Sequence, residues 1–196
     1  RDAFARSQMP ETAKPLAGAV IVGISLIFFP QVSAMGYDTI SHAFEGTMGT
    51  RLLLSLIVVK MLMTSVTLGC GGSGGVFTPA MFIGAMLGGG FAGVTNYLSP
   101  ETIAEPGAFA LVGMGAFLAA ATHAPLTAIF MVWELTQNIG SVVPAMLASV
   151  TGTLVARGLL ADSIDTYELR RKGFDVHRPR TANILAQVLS ALAVAH

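Results

Sequence analysis

An all-α membrane protein is the fold class this sequence predicts, and three observations carry the prediction. Mean hydropathy is +0.69. The 196 residues are 53% hydrophobic and only 11% charged, where a soluble domain carries roughly 25% charged residues. The apolar residues also gather into helix-length segments divided by glycine, proline and short polar runs. Several of those segments are shorter than the roughly 20 residues that cross a bilayer squarely.

The elements follow in order. Leu16–Pro30 is apolar but short, and Pro30 ends it. Gln31 to Gly49 mixes small, polar and acidic residues, with a short helix expected near Asp38–Phe44. Leu52–Leu68 is the next strong segment, with Ser55, Lys60 and a few hydroxyl residues inside it. A glycine-rich run, Gly71-Gly-Ser-Gly-Gly-Val-Phe-Thr-Pro79, then opens a long apolar helix expected over about Phe77 to Leu98. Ser99 to Pro106 reads as a loop carrying Glu101 and Glu105, and Gly107–Ala121 as a small-residue helix interrupted by Thr122-His123-Ala124-Pro125. Pro125 suits the first turn of a new helix, where its missing N–H costs nothing, and that helix runs to Thr136. After Gln137-Asn-Ile-Gly140 comes Ser141–Leu160, with Pro144 in its first turn. Asp162 to Gly173 is amphipathic and basic, and the tail to His196 is polar and then mildly apolar.

Short and interrupted helices in lipid place freed backbone groups against protein or a water-filled cavity, the usual way of building an ion site near the midplane. The glycine run is the clearest such place. A glycine turn before an apolar helix presents unpaired N–H groups at the positive end of the helix dipole, an arrangement suited to an anion. It lacks the Gly-Lys-[Ser/Thr] ending that grips a nucleotide phosphate. Gly84 with Gly88, and Gly89 with Gly93, stand at the spacing that lets membrane helices approach closely.

Formal net charge is +0, so no global field recruits nucleic acid. Cys70 is the single cysteine and reads as a small buried residue, which leaves no internal disulfide. No nucleophile–base pair or metal-ligand spacing is visible, so no enzyme activity, metal or other cofactor is expected. His123 is expected to cap or hydrogen-bond in a helix break, and Glu134 to take a structural-partner or surface role. Lys60, an intramembrane cation, is a functional candidate by default, or else snorkels or pairs with a glutamate from the missing half. Trp133 reads as packing or an interface anchor. Arg170, Arg171 and Lys172, with Arg178 and Arg180 beyond, favour a cytoplasmic C-terminus. The chain starts at Arg1 with no signal-peptide pattern, and is expected to continue a longer polypeptide.

With these elements placed, Gly74-Gly75-Val76-Phe77-Thr78-Pro79 resembles the Gly-x-Phe-x-Pro signature of the CLC chloride channels and proton/chloride exchangers. The likeness continues through Gly107-Ala-Phe-Ala-Leu-Val-Gly-Met-Gly-Ala-Phe-Leu-Ala-Ala-Ala-Thr-His-Ala-Pro-Leu-Thr and Trp133-Glu-Leu-Thr136, and covers roughly residues 14 to 175. The resemblance implies the second of two inverted repeats of a CLC-type fold, with short, broken and tilted transmembrane helices. Residues 1–13 would continue from a missing N-terminal half, 14–175 would be the transmembrane domain, and 176–196 a cytoplasmic tail or linker. Two further family signatures, a Gly-Ser-Gly-x-Pro turn and a Gly-[Arg/Lys]-Glu-Gly-Pro turn with the gating glutamate, do not occur here.

The resemblance also implies a function: voltage-gated chloride channel or H+/Cl− antiporter, a multi-pass homodimer of the bacterial inner membrane. Its partners would be chloride, protons and lipid. Anion-binding residues implied are Gly74, Gly75, Val76 and Phe77, the last two through their amides. The family's tyrosine ligand falls, ungapped, on Asp165, with Tyr167 two residues later. Two helical steps are about 200° of rotation, so the two side chains point apart, and a carboxylate beside chloride repels it. Either Tyr167 substitutes from a helix that starts later, or the hydroxyl is absent. The alternatives for function are a CLC-like carrier of fluoride or nitrate and a non-transporting membrane scaffold.

Overall fold

A computed structural model describes residues 13–72, 74–99, 105–137, 139–171 and 173. Its helices are α1 (Ala13–Phe28), α2 (Tyr37–Phe44), α3 (Thr50–Gly69), α4 (Phe77–Leu98), α5 (Pro106–Thr122), α6 (Pro125–Thr136), α7 (Val142–Leu159) and α8 (Ile164–Arg171). Single 3-10 turns lie at Pro30–Val32 and Ile139–Ser141. The chain divides into two units, 1–161 and 162–196. Most of the loop expected after Ser99, and the tail with Lys172, Arg178 and Arg180, lie outside the described residues.

In the first unit, α4 is the central element. It packs most extensively on α5 and next on α3, while α5 also meets α7 and α6. Of the best membrane-spanning window in α4, 61% is buried, against 17% in α3. Thus α4 is largely walled by protein, and α3 keeps an exposed apolar side. The core of this unit includes Phe82, Met81, Met86, Met114, Leu118, Leu56 and Val132, each with no more than trace exposure.

Close approach between α4 and α5 depends on glycines. A methyl group on Gly84 would come within 2.7 Å of the Gly113 carbonyl and 2.9 Å of Met114 Cα, and one on Gly113 within 2.7 Å of Gly88 Cα. The two backbones touch where side chains would ordinarily stand.

The expected interruptions are present, each with a local cause. α3 stops because Gly71 takes a left-handed conformation (φ 88) and Gly72 N donates to Thr67 O at 2.9 Å, the six-to-one closure of a glycine C-cap. α5 stops at His123, also left-handed (φ 56), and Pro125 starts α6. His123 therefore caps a helix break, as its place in the sequence suggests, and its carbonyl accepts a bond from Arg157 Nη2 at 3.2 Å. At about 1.5 Å per residue, α1, α5 and α6 are each too short to cross about 30 Å of hydrocarbon squarely.

The second unit holds α8. Thr166 N donates to Ser163 Oγ at 3.3 Å, which caps the first turn, and Arg170 Nη1 pairs with Asp162 Oδ2 at 2.8 Å.

Candidate functional site

Three helices and two turns converge around the glycine run. α3 ends in the left-handed Gly71; Gly74 and Gly75 follow, and Val76 is the N-cap of α4. No side chain caps that end. Pro79 stands in the first turn and contributes no N–H. Among the described residues no acceptor is bonded to the amides of Val76 and Phe77. They therefore have what an anion ligand needs: unpaired N–H groups at the positive end of a 22-residue helix.

Beside this turn lies a cavity of about 350 Å³. Gly74, Gly75, Thr78 and Pro79 line it from the turn, Lys60, Met63, Thr64 and Thr67 from α3, and Val32, Ala34 and Met35 from the loop after α1. Its chemistry is mixed, with an apolar wall and a stripe formed by Lys60, Thr64 and Thr67, spaced at four and then three residues so that they share one face of α3. That spacing was readable in the sequence. Without knowing that α3 turns this face inward, nothing distinguished the stripe from scattered polar residues.

The sequence-derived site residues fall into two groups. Gly74 and Gly75 line the cavity, and Val76 and Phe77 follow them directly at the helix start. The Phe77 side chain packs against the core cluster and is not among the cavity-lining residues. Asp165 and Tyr167 stand in the second unit, on α8, which begins at Ile164, ahead of both. Both are exposed there, Tyr167 at 63%.

Lys60 does not snorkel, as one alternative held. It does not reach the surface, being 4% exposed. Among the described residues no glutamate pairs with it; Nζ donates instead to the carbonyls of Val32 (3.0 Å) and Ala34 (3.2 Å). Glu134 is exposed, and Trp133, 44% exposed, borders a small apolar groove with Ile129, Phe130, Ile139 and Val142. Cys70 is buried at 6%, its Sγ donating to Thr67 O at 3.2 Å.

Known proteins resemble this chain over most of its length. The family model described as "Voltage gated chloride channel" matches residues 1–157. A putative chloride channel protein ClcB-like of Ralstonia nicotianae is 37% identical over 178 residues, 91% of this chain and 42% of that protein. An H(+)/Cl(-) exchange transporter ClcA of Vibrio campbellii is 32% identical over 151 residues, covering 77% of this chain and 32% of its own length. Among solved structures, a slow cyanobacterial Cl−/H+ antiporter aligns with a TM-score of 0.61 at 31% identity, over 71% of this chain and 33% of that one. The chain thus spans less than half the length of the relatives it matches.

Proposed function

The chain belongs to the voltage-gated chloride channel family, and on that premise we propose that its Gly74–Phe77 turn holds a chloride ion within an anion pathway. One observation carries the reading. The amides of Val76 and Phe77 have no acceptor among the described residues, and their helix starts beside a cavity in a segment apolar enough to span a membrane. Gly75, where an added methyl group would meet nothing within 4 Å, lets an ion approach that backbone without meeting a side chain.

In this reading the protein works as a channel or proton-coupled antiporter and forms no covalent intermediate. It needs no cofactor beyond the ion it moves. Residues 14–175 are the transmembrane domain and 176–196 a tail on the cytoplasmic side of a bacterial inner membrane. A first half of the same polypeptide supplies the rest of the ion path. The exposed apolar faces of α6 and α7, with Leu126 69%, Phe130 62%, Val143 62% and Leu147 67% exposed, support contact with lipid and with a second copy.

The test is a bromide soak of crystals of the full-length protein, read by anomalous diffraction. A peak within hydrogen-bonding reach of the Val76 and Phe77 nitrogens is the expected result. Bromide bound only elsewhere would remove the turn from the pathway.

A further inference from the structure

Lys60 sits midway along α3, 4% exposed, in a helix apolar enough to cross a membrane. A cation in such a place is costly unless its surroundings offset it. The offset is unusual, because no carboxylate among the described residues bonds to Lys60. Its Nζ instead donates to two carbonyls, Val32 O and Ala34 O, and stands 4.8 Å from the centroid of the fully buried Phe82 ring. Carbonyl dipoles and a ring face soften the burial cost without supplying a counter-charge.

The stretch that Lys60 fastens needs fastening. Ala34 has φ 47, a left-handed conformation that a residue with a side chain adopts reluctantly, and Gly36 follows at φ 76. Gly36 lies so close to its neighbours that a methyl group there would fall 2.6 Å from Phe82 Cδ2 and 3.7 Å from Lys60 Nζ. Turn, ammonium and ring are one packed unit. Val32, Ala34, Met35 and Lys60 from that unit line the same cavity as Gly74, Gly75 and Thr78.

We propose that Lys60 is a positioning residue for anion binding. By fastening the Val32–Gly36 turn and holding a fixed positive charge in the cavity wall, it sets the shape and the potential that a halide meets beside the Gly74–Phe77 turn. This rests on the anion reading of that turn and adds a residue the turn itself does not contain. A cation with no bonded carboxylate facing a cavity draws anions by long-range attraction, and low dielectric leaves that attraction poorly screened.

The experiment is chloride titration by calorimetry, alongside thermal unfolding, on the full-length protein and its K60R, K60M and G36A variants. K60R should bind within about threefold of wild type, because a guanidinium gives two N–H groups to the two carbonyls and lies well on a ring. K60M removes the charge and frees the turn, and its affinity should fall about tenfold or more. G36A keeps the charge but pushes the turn off Phe82, and should weaken binding while K60R does not. Rescue by Arg but not Met separates positioning from packing, since a purely structural lysine would lower unfolding temperature without moving the dissociation constant. A folded K60M that binds chloride within twofold of wild type overturns the proposal. If K60M does not fold, G36A with wild-type affinity overturns it instead. Wild-type protein that binds no halide at Val76 and Phe77 fails earlier and sinks the anion reading itself.

Discussion

A methyl group at Gly75 would meet no heavy atom within 4 Å, and the residue is absent from the positive-φ positions that include its neighbour Gly71. The turn therefore does not need glycine at 75 for its own geometry; open space in front of the backbone does. The expected outcome for Gly75→Val in the full-length protein is near-normal folding with chloride flux reduced at least tenfold, because a branched side chain would stand between the cavity and the amides. Cys70→Ala is the control. Its Sγ fills the space that the missing side chain of Gly18 leaves and donates to Thr67 O. Losing it should cost about 1 kcal/mol of stability and little transport. Flux from proteoliposomes with matched protein content decides the comparison, and equal losses would mean the glycine run does not face the ion.

At the scale of the elements, the contact between α4 and α5 tolerates almost nothing. A side chain at Gly84 meets the Gly113 carbonyl, Phe117 Cβ and Met114 Cα within 2.9 Å, and two of the three are backbone atoms that cannot swing away. Gly84→Ala should therefore force the helices apart at a cost of about 1–3 kcal/mol. Gly23→Ala, where the same added group meets nothing within 4 Å, should be neutral or slightly stabilising. Thermal unfolding in detergent would show the difference as a lower midpoint for Gly84→Ala alone. Equal midpoints would show that α4 and α5 slide past one another without penalty. The same contact bears on the site, because α4 begins at the turn and its orientation fixes where the Val76 and Phe77 amides point.

For the whole molecule, much of the apolar surface in the first unit lacks a protein partner. Ile27, Phe28, Leu62, Leu87, Phe91 and Leu98 are each at least 47% exposed, and the chain spans 42% of the ClcB-like relative. Residues 1–196 alone, reconstituted in liposomes, are expected to give no chloride flux above empty vesicles and to run as a polydisperse species. Each backbone group left unsatisfied in lipid at a helix break costs several kcal/mol. Robust, saturable flux from these residues alone would contradict that expectation.

The sequence by itself determined the helices and the place of the glycine turn that opens α4. Phe77–Leu98 and Pro125–Thr136 come out with the bounds that glycine, proline and hydropathy dictate, because breakers act locally: a left-handed glycine or a proline ring ends or starts a helix whatever surrounds it. The uncapped start of α4 was legible for the same reason. Tertiary structure decided which faces meet. It turned the Lys60, Thr64 and Thr67 stripe toward a cavity and gave Lys60 two carbonyls and a ring in place of a carboxylate. It also brought Gly84 against Gly113 across 29 residues of chain. Such pairings depend on long-range packing, which local pattern does not encode: a lysine in an apolar helix reads the same whether lipid, a glutamate or a backbone turn stands opposite.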